Sequence, residues 1–290
     1  RGPIATRFDA TSLDAFAVEL RRMARRQRLT HVTADPAVES VAGIEDLFVS
    51  GRWRRAEPVQ YEETQVIDLT RSQADLWADL RSTTRRYVNK ARRDGCTVRD
   101  GSAADLPTFY EILVATARRG GFVHRSMDTY VHIYELFAAS GDARLLVAEL
   151  PDGTPAAVKI LLSCDGRVAQ PYSGMTEAGA RTRANYLLEW ETISRSAAAG
   201  LREYDMSGLA TPGITYFKQG FGGRRVDYVG TWDLVMLPFL RDALVRARRA
   251  YVWFARRRHG LAPADGGEKA ASDAGDEADG GAPDTAGTTA

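Results

Sequence analysis

Two turn signals, Pro151-Asp152-Gly153-Thr154 and Cys164-Asp165-Gly166, constrain this chain more than any other feature. The runs they separate, 144–150, 155–163 and 167–173, are short and rich in strand-forming residues, and an Asp-Gly pair between such runs predicts a tight hairpin. Three consecutive antiparallel strands follow. Beyond them the period changes: residues 184–199 set Leu187, Leu188, Ile193 and Ala197 at helical spacing and stop at Gly200. Residues 202–206 and 227–235 read as two more strands around a glycine-rich loop. Upstream, Ser72-Gln73-Ala74-Asp75 opens a helical stretch that runs to Gly95, with a restart at Ser82 or Thr83. Asp105-Leu106-Pro107 caps a second helix over Leu106, Phe109, Tyr110, Leu113 and Ala117 that ends near Gly120.

A helix, a three-stranded meander, a helix and a crossover strand, in that order, match the architecture of Gcn5-related (GNAT) acyltransferases, an α+β fold. By analogy of fold alone this predicts acyl transfer. Residues 1–60 form a different unit, with a strand at 4–8, a helix at 13–26 whose Phe16, Leu20 and Met23 face inward, and a strand at 30–33. Charge is divided unevenly. The 290 residues are formally +1, yet residues 262–290 hold seven acids and a single base, Lys269, so the body is basic and the tail acidic. That tail, built largely of Gly, Ala, Asp, Thr and Pro, has too little to bury to offset the entropy of ordering and is expected to be disordered. Ahead of it, 241–259 reads as a basic helix with Leu240, Leu244, Ala247, Tyr251 and Phe254 along one face.

Composition narrows the chemistry. Two cysteines, Cys96 and Cys164, cannot make a disulfide framework or a four-ligand zinc site, and four scattered histidines lack metal-ligand spacing. No metal is expected, His124 and His132 read as ordinary polar residues, and a reducing, cytoplasmic compartment is the default. No apolar run nears the roughly 20 residues that a membrane span needs. A coenzyme-A enzyme of this fold should cradle pyrophosphate on a glycine-rich loop before the helix that follows the meander. Here that loop reads Gly179-Ala180-Arg181-Thr182-Arg183-Ala184-Asn185-Tyr186, without glycines where the cradle needs them, so a coenzyme-A donor is disfavoured. The glycines come later, in Thr215-Tyr216-Phe217-Lys218-Gln219-Gly220-Phe221-Gly222-Gly223. Close backbone approach to a ligand, beside an aromatic face and a cation, is one reading of this stretch. A glycine turn with Phe217 and Phe221 in the core and Lys218 in water is the other.

Six strings, taken in order, carry a resemblance. They are Thr64-Gln65-Val66-Ile67-Asp68-Leu69, Arg81-Ser82-Thr83-Thr84-Arg85-Arg86-Tyr87, Asn185-Tyr186-Leu187-Leu188-Glu189-Trp190-Glu191, Glu203-Tyr204-Asp205-Met206-Ser207-Gly208, the 217–223 loop, and Gly230-Thr231-Trp232-Asp233-Leu234-Val235. Through them residues 64–238 resemble the second domain of the FemABX family, the aminoacyl-tRNA-dependent transferases that build peptidoglycan interpeptide bridges, in a form without a coiled-coil arm. Arg1-Gly2-Pro3 and Ala34-Asp35-Pro36 resemble pieces of the family's first domain. The resemblance implies two GNAT-like domains, the first truncated at its N-terminus with about 60 residues preceding Arg1 by typical domain length. It divides the chain into 1–63, the rest of the first domain; 64–230, the second domain; 231–261, a strand and a basic helix packing back on the first; and 262–290, the tail.

What the resemblance implies for function is transfer of an amino acid from aminoacyl-tRNA to an amine of a muramyl stem peptide, UDP-linked or lipid-linked. The charged tRNA is a co-substrate and no cofactor is called for. Lys218 is implied to face the aminoacyl ester as an electrostatic catalyst and Phe217 to pack the terminal adenosine. Arg125 is implied to clamp substrate phosphate; Tyr130, where the family often has a pair of aromatics, and Tyr172 accompany it. Asp35 and Asp233 are candidates for orienting the attacking amine, or else structural acids of a turn and a strand end. The basic run Arg85, Arg86, Lys90, Arg92 and Arg93 reads as a solvated face that a tRNA donor would turn into phosphate contacts. The terminal basic helix packs on the first domain, touches anionic lipid at the inner membrane surface, or meets tRNA. The competing functions are an N-acyltransferase, fed by tRNA or by acyl-coenzyme A, that acts on a small metabolite, and a non-catalytic basic module.

Overall fold

The computed structural model describes Gly2 and residues 8–258; most of the strand expected at 4–8 and all of the expected tail lie outside the described residues. Helix α1 (Ala10–Gln27) leads into β1 (His31–Ala34), α2 (Ile44–Ser50), β2 (Trp53–Arg55) and β3 (Glu63–Asp68). Then come α3 (Gln73–Ala78), α4 (Ser82–Arg93), β4 (Thr97–Asp100), α5 (Leu106–Gly120) and α6 (Met127–Ala138). The meander is β5 (Ala143–Glu149), β6 (Pro155–Cys164) and β7 (Arg167–Met175). After it stand α7 (Glu177–Thr182), α8 (Ala184–Ala198), β8 (Glu203–Gly208), α9 (Pro212–Gln219), β9 (Arg224–Asp227), β10 (Trp232–Val235) and α10 (Pro238–Arg258).

Seven strands form one sheet in the order β4-β5-β6-β7-β8-β3-β9. The meander pairs antiparallel throughout, and its second turn has Asp165 and Gly166 at φ 46° and 72°, the two positive values that a two-residue hairpin requires. Strand β6 is buried on both faces. Its alternate residues divide between two cores: Val158 and Ile160 pack with Phe109, Ile112 and Leu113 of α5, while Ala157 and Leu161 pack with Leu187, Leu188 and Ile193 of α8. By that alternation Lys159 lies on the α8 side. Strand β8 joins β7 in parallel over three register pairs only, Arg167 with Glu203, Val168 with Tyr204 and Ala169 with Asp205. Past them β7 continues against β6 and β8 against β3, so the sheet forks there.

A smaller sheet, β1-β10-β2, unites the beginning and the end of the described chain. The single strand expected over 227–235 is divided: β9 extends the large sheet, Gly230 turns at φ 76°, and β10 crosses to the small one. A shared core explains the crossing, for Phe48 stacks on Trp232 at 4.7 Å and both pack with Leu13, Ala17, Trp53 and Leu234. On α1 the inward face is Leu13, Ala17 and Ala24, flanked by Phe16 and Leu20; Met23, expected inside, is exposed because Ala24 is the residue one turn beyond Leu20 that meets the core. Arg241 of α10 is tied to Asp233 at 2.6 Å, while Phe239, Tyr251 and Phe254 of the same helix stand in solvent. Truncating Phe48 to Ala should cost about 3–5 kcal/mol by the cavity it leaves. The exposed Val49→Ala should change stability by under roughly 0.5 kcal/mol; denaturant midpoints of the two variants check the contrast.

Candidate active site

The stretch expected to be a glycine-rich loop is largely helix. Thr211 caps α9 by accepting from the Ile214 amide, Pro212 opens it, and Phe217 and Lys218 fall in its last turn. The glycines follow the helix, and what they approach is the chain itself rather than open ligand space. A Cβ on Gly220 would lie 2.4 Å from the Thr84 hydroxyl, and one on Gly223 2.4 Å from the Val66 carbonyl oxygen. Gly222 and Gly223 also have φ near 80°, which turns the chain sharply into β9. The Arg81 amide donates to the Gly220 carbonyl and so binds the start of α4 to the end of α9.

This packing puts Lys218 inside the protein, only 9% exposed. Its ammonium donates to the carbonyls of Ser207 at 2.8 Å and Gly208 at 2.6 Å, at the end of β8. Those carbonyls are themselves held. Register slips between Thr64 and Val66 in the β3–β8 ladder, and in the resulting bulge Ser207 adopts φ 60°. A left-handed serine is strained; the Asp205 carboxylate offsets the strain by accepting from the Ser207 amide at 2.8 Å while also accepting from Thr64 at 2.5 Å. The Tyr61 ring lies over Gly208, where a Cβ would be 2.0 Å from it. Burial pulls the Lys218 pKa down to about 8; attraction from Glu189 and Asp205 resists that fall and Lys159 adds to it.

On the β7 side of the fork the structure assembles Arg125, Tyr130 and Tyr172. The Arg125 amide donates to the Tyr130 hydroxyl at 3.0 Å, and the Tyr172 ring meets Tyr130 edge-on at 4.9 Å. Burial pushes the Tyr130 hydroxyl pKa up, so it stays protonated at neutral pH. The Arg125 guanidinium is exposed and has no carboxylate partner among the described residues. Beside Lys218 an aromatic row runs from Tyr87 through Tyr186 and Phe217 to Phe221 at centroid spacings of 4.8–5.1 Å. Phe217 is half buried in this row, and the outward ring of α9 is Tyr216, over which the Arg81 guanidinium sits at 4.3 Å. Arg183, left-handed at φ 63° between α7 and α8, covers Tyr87 at the same distance.

The remaining candidates are dispersed. Asp233 lies in the small sheet, accepting from Thr33 and from both ends of the Arg241 fork, and Asp35 is buried beside β1, its backbone paired with Gly2. Neither is among the carboxylates that act on Lys218. Within the basic run, Arg85 donates to the Ala78 and Leu80 carbonyls, Lys90 pairs with Asp94, and Arg92 pairs with Glu191. Arg86 and Arg93 are exposed and free of carboxylate partners among the described residues. Asp205, Ser207, Tyr61 and Tyr216 had no assigned role. The 203–208 string stands out in the sequence, but the Asp-x-Ser-Gly turn within it is visible only once the bulge is seen.

A family model for an acetyltransferase (GNAT) domain matches residues 78–219. A lipid II:glycine glycyltransferase of Staphylococcus haemolyticus is 23% identical over 162 residues, covering 52% of this chain and 38% of the relative. The chain thus spans about two fifths of the length of the curated relatives it matches. A crystal structure of FemX superposes with a TM-score of 0.75 at 15% identity, over 84% of this chain and 81% of that one. The L-PGS structure from Bacillus licheniformis follows at 0.52 and 13%, over 80% and 78%. These structural likenesses concern the fold.

The carbonyl cradle has a direct test. Gly208→Ala should drive a methyl into the Tyr61 side chain, from its Cβ to its ring, and destabilise the protein, whereas adding Tyr61→Gly, which removes the Cβ as well, should recover much of that loss. A double-mutant cycle on denaturation free energies should therefore show coupling of roughly 1 kcal/mol or more.

Proposed function

We propose that this chain is a FemABX-type transferase that moves an aminoacyl group from a charged tRNA to a free amine of a peptidoglycan-precursor stem peptide. The observation that carries this reading is the buried Lys218 ammonium at the sheet fork, held by two fixed carbonyls. Attack of an amine on an aminoacyl ester builds negative charge on the carbonyl oxygen and then on the departing ribose oxygen. A preorganised cation in a low-dielectric site stabilises both. The ester is already activated, so the attacking amine, once neutral, can pass its second proton to the leaving oxygen.

The other groups supply binding. Arg125, anchored through its backbone by Tyr130, suits a diphosphate that links the muramyl peptide to UDP or lipid. Arg81 over Tyr216 and Arg183 over Tyr87 combine stacking faces with cations, which suits the single-stranded 3′ end of a tRNA. Arg86 and Arg93 extend this surface along α4. No described helix is long and apolar enough to cross a membrane. With a lipid-linked acceptor, the exposed aromatics and arginines of α10 are the surface that would meet headgroups.

Three outcomes test the reading. Because Lys218 must be protonated and the acceptor amine neutral, kcat should be bell-shaped in pH, with an alkaline limb where Lys218 loses its proton, near pH 8. Lys218→Met should lower kcat about 100-fold or more and abolish that limb; near-normal turnover at saturation would rule out the electrostatic role. Arg125→Ala should weaken acceptor binding with little change in kcat, and Arg125→Lys should restore it only in part, since a fork becomes a point charge. Calorimetry on the acceptor checks this. Replacing Arg86, Arg93 and Arg183 by Gln should flatten the salt dependence of charged-tRNA binding by about 0.7 log unit per lost contact. An unchanged slope in a folded variant would place the tRNA elsewhere.

A further inference from the structure

Beneath the fork three polar side chains from three elements close on one another. Glu189 of α8 accepts from the Lys159 ammonium of β6 at 2.5 Å and from the Tyr204 hydroxyl of β8 at 2.6 Å, while Lys159 also donates to the Tyr204 oxygen at 3.2 Å. All three are buried, at 2%, 2% and 0% exposure. Such a trio is a poor stability device, because desolvating an ion pair costs several kcal/mol and apolar residues of the same size usually serve as well. Its neighbours suggest another use. Three and four residues after Tyr204 on the same strand are the Ser207 and Gly208 carbonyls that hold Lys218.

The charges are unequal. Lys159 and Lys218 are the buried lysines among the described residues, and Glu189 is the buried carboxylate that attracts both. Of the other buried acids, Asp233 is taken by Arg241 and Asp35 lies beside the small sheet. We propose that Glu189 is a positioning residue for Lys218: clamped by Lys159 and Tyr204, its carboxylate fixes the strand that carries the carbonyl cradle and supplies the counter-charge that keeps the Lys218 amine cationic. This rests on the role given to Lys218 above. The groups that act on Lys218 are Glu189 from α8 and Asp205 from β8, both attractive, and Lys159 from β6, repulsive, together with the two carbonyls. Glu189 is shared with Lys159, so its removal exposes Lys218 both to lost attraction and to an uncompensated neighbour.

The sequence makes a clean measurement practicable, for the whole chain has four lysines, Lys90, Lys159, Lys218 and Lys269. In protein labelled with ¹³C-lysine, the Lys218 Cε signal is assigned by its loss in Lys218→Met and followed through a pH titration without substrate. Glu189→Gln should lower its midpoint by about 1 pH unit or more and shift the alkaline limb of kcat to the same lower pH, with KM for both substrates little changed. A merely structural trio behaves oppositely, since loosening would admit water and raise the midpoint towards that of an exposed lysine. Lys159→Met removes the repulsive neighbour and should raise the Lys218 midpoint in a chain that keeps its circular dichroism but melts at a lower temperature, because Glu189 is left without its ammonium. If Glu189→Gln does not fold, Lys159→Met decides. An unmoved or raised midpoint in folded Glu189→Gln, or an unmoved or lowered one in Lys159→Met, overturns the proposal. The titration needs no tRNA and no acceptor, so failure of the transfer reading leaves it standing, and its own failure leaves transfer activity intact.

Discussion

A lysine withdrawn from water must find acceptors inside the protein, and Lys218 has the Ser207 and Gly208 carbonyls. Much of the local architecture serves that arrangement. The β3–β8 bulge turns those carbonyls out of the ladder, Asp205 and Thr64 stabilise the left-handed serine within it, and the Tyr61 ring covers Gly208. From the other direction Thr211 and Pro212 start α9, Gly220 lets its end lie against α4, and Gly222 and Gly223 let the chain pass close to Asp79 and β3, which fixes where the lysine side chain begins.

The sheet fork sets this lysine apart from a second polar group. After three parallel pairs β7 and β8 take different partners, leaving Tyr172, Tyr130 and Arg125 on one side and the lysine cradle on the other. The two sides differ physically. Arg125 is exposed and presents a planar guanidinium fork, whereas Lys218 is buried and holds its proton against desolvation. Under the proposed transfer reading, binding energy and electrostatic stabilisation fall to different residues, which is why the two substitutions are expected to divide between affinity and turnover.

The sequence made the meander legible because Asp165-Gly166 can form little besides a tight turn between strand-forming runs, and made α5 and α8 legible because their apolar period and stop signals agree. It was misleading where local and tertiary signals diverge. Gly220, Gly222 and Gly223 look like a ligand cradle, yet each is required by a close approach of the chain's own backbone or side chains. Small elements such as α2, β2 and β4 carry too few residues for a period to register, and the division of 227–235 between two sheets depends on Phe48 stacking on Trp232, a contact between residues far apart in the chain. Lys218, Arg125, Tyr130 and Tyr172 were named only through the family resemblance, whose strings are local, while the residues by themselves left Lys218 between a ligand-facing and a solvated reading. Glu189 and Tyr204 were visible only as letters in strings, since what joins them to Lys159 is the packing of α8 on β6 and β8.

The most direct test of the account is the mass of what the full-length protein makes when given a pool of charged tRNA, muramyl-pentapeptide acceptors and, in a parallel arm, acetyl-coenzyme A. Transfer from the ester held at Lys218 requires a product heavier than the acceptor by one aminoacyl residue, formed only with charged tRNA and abolished when the tRNA is deacylated or digested beforehand. An acetylated product formed from acetyl-coenzyme A alone, with no aminoacyl product in the tRNA arm, would contradict it.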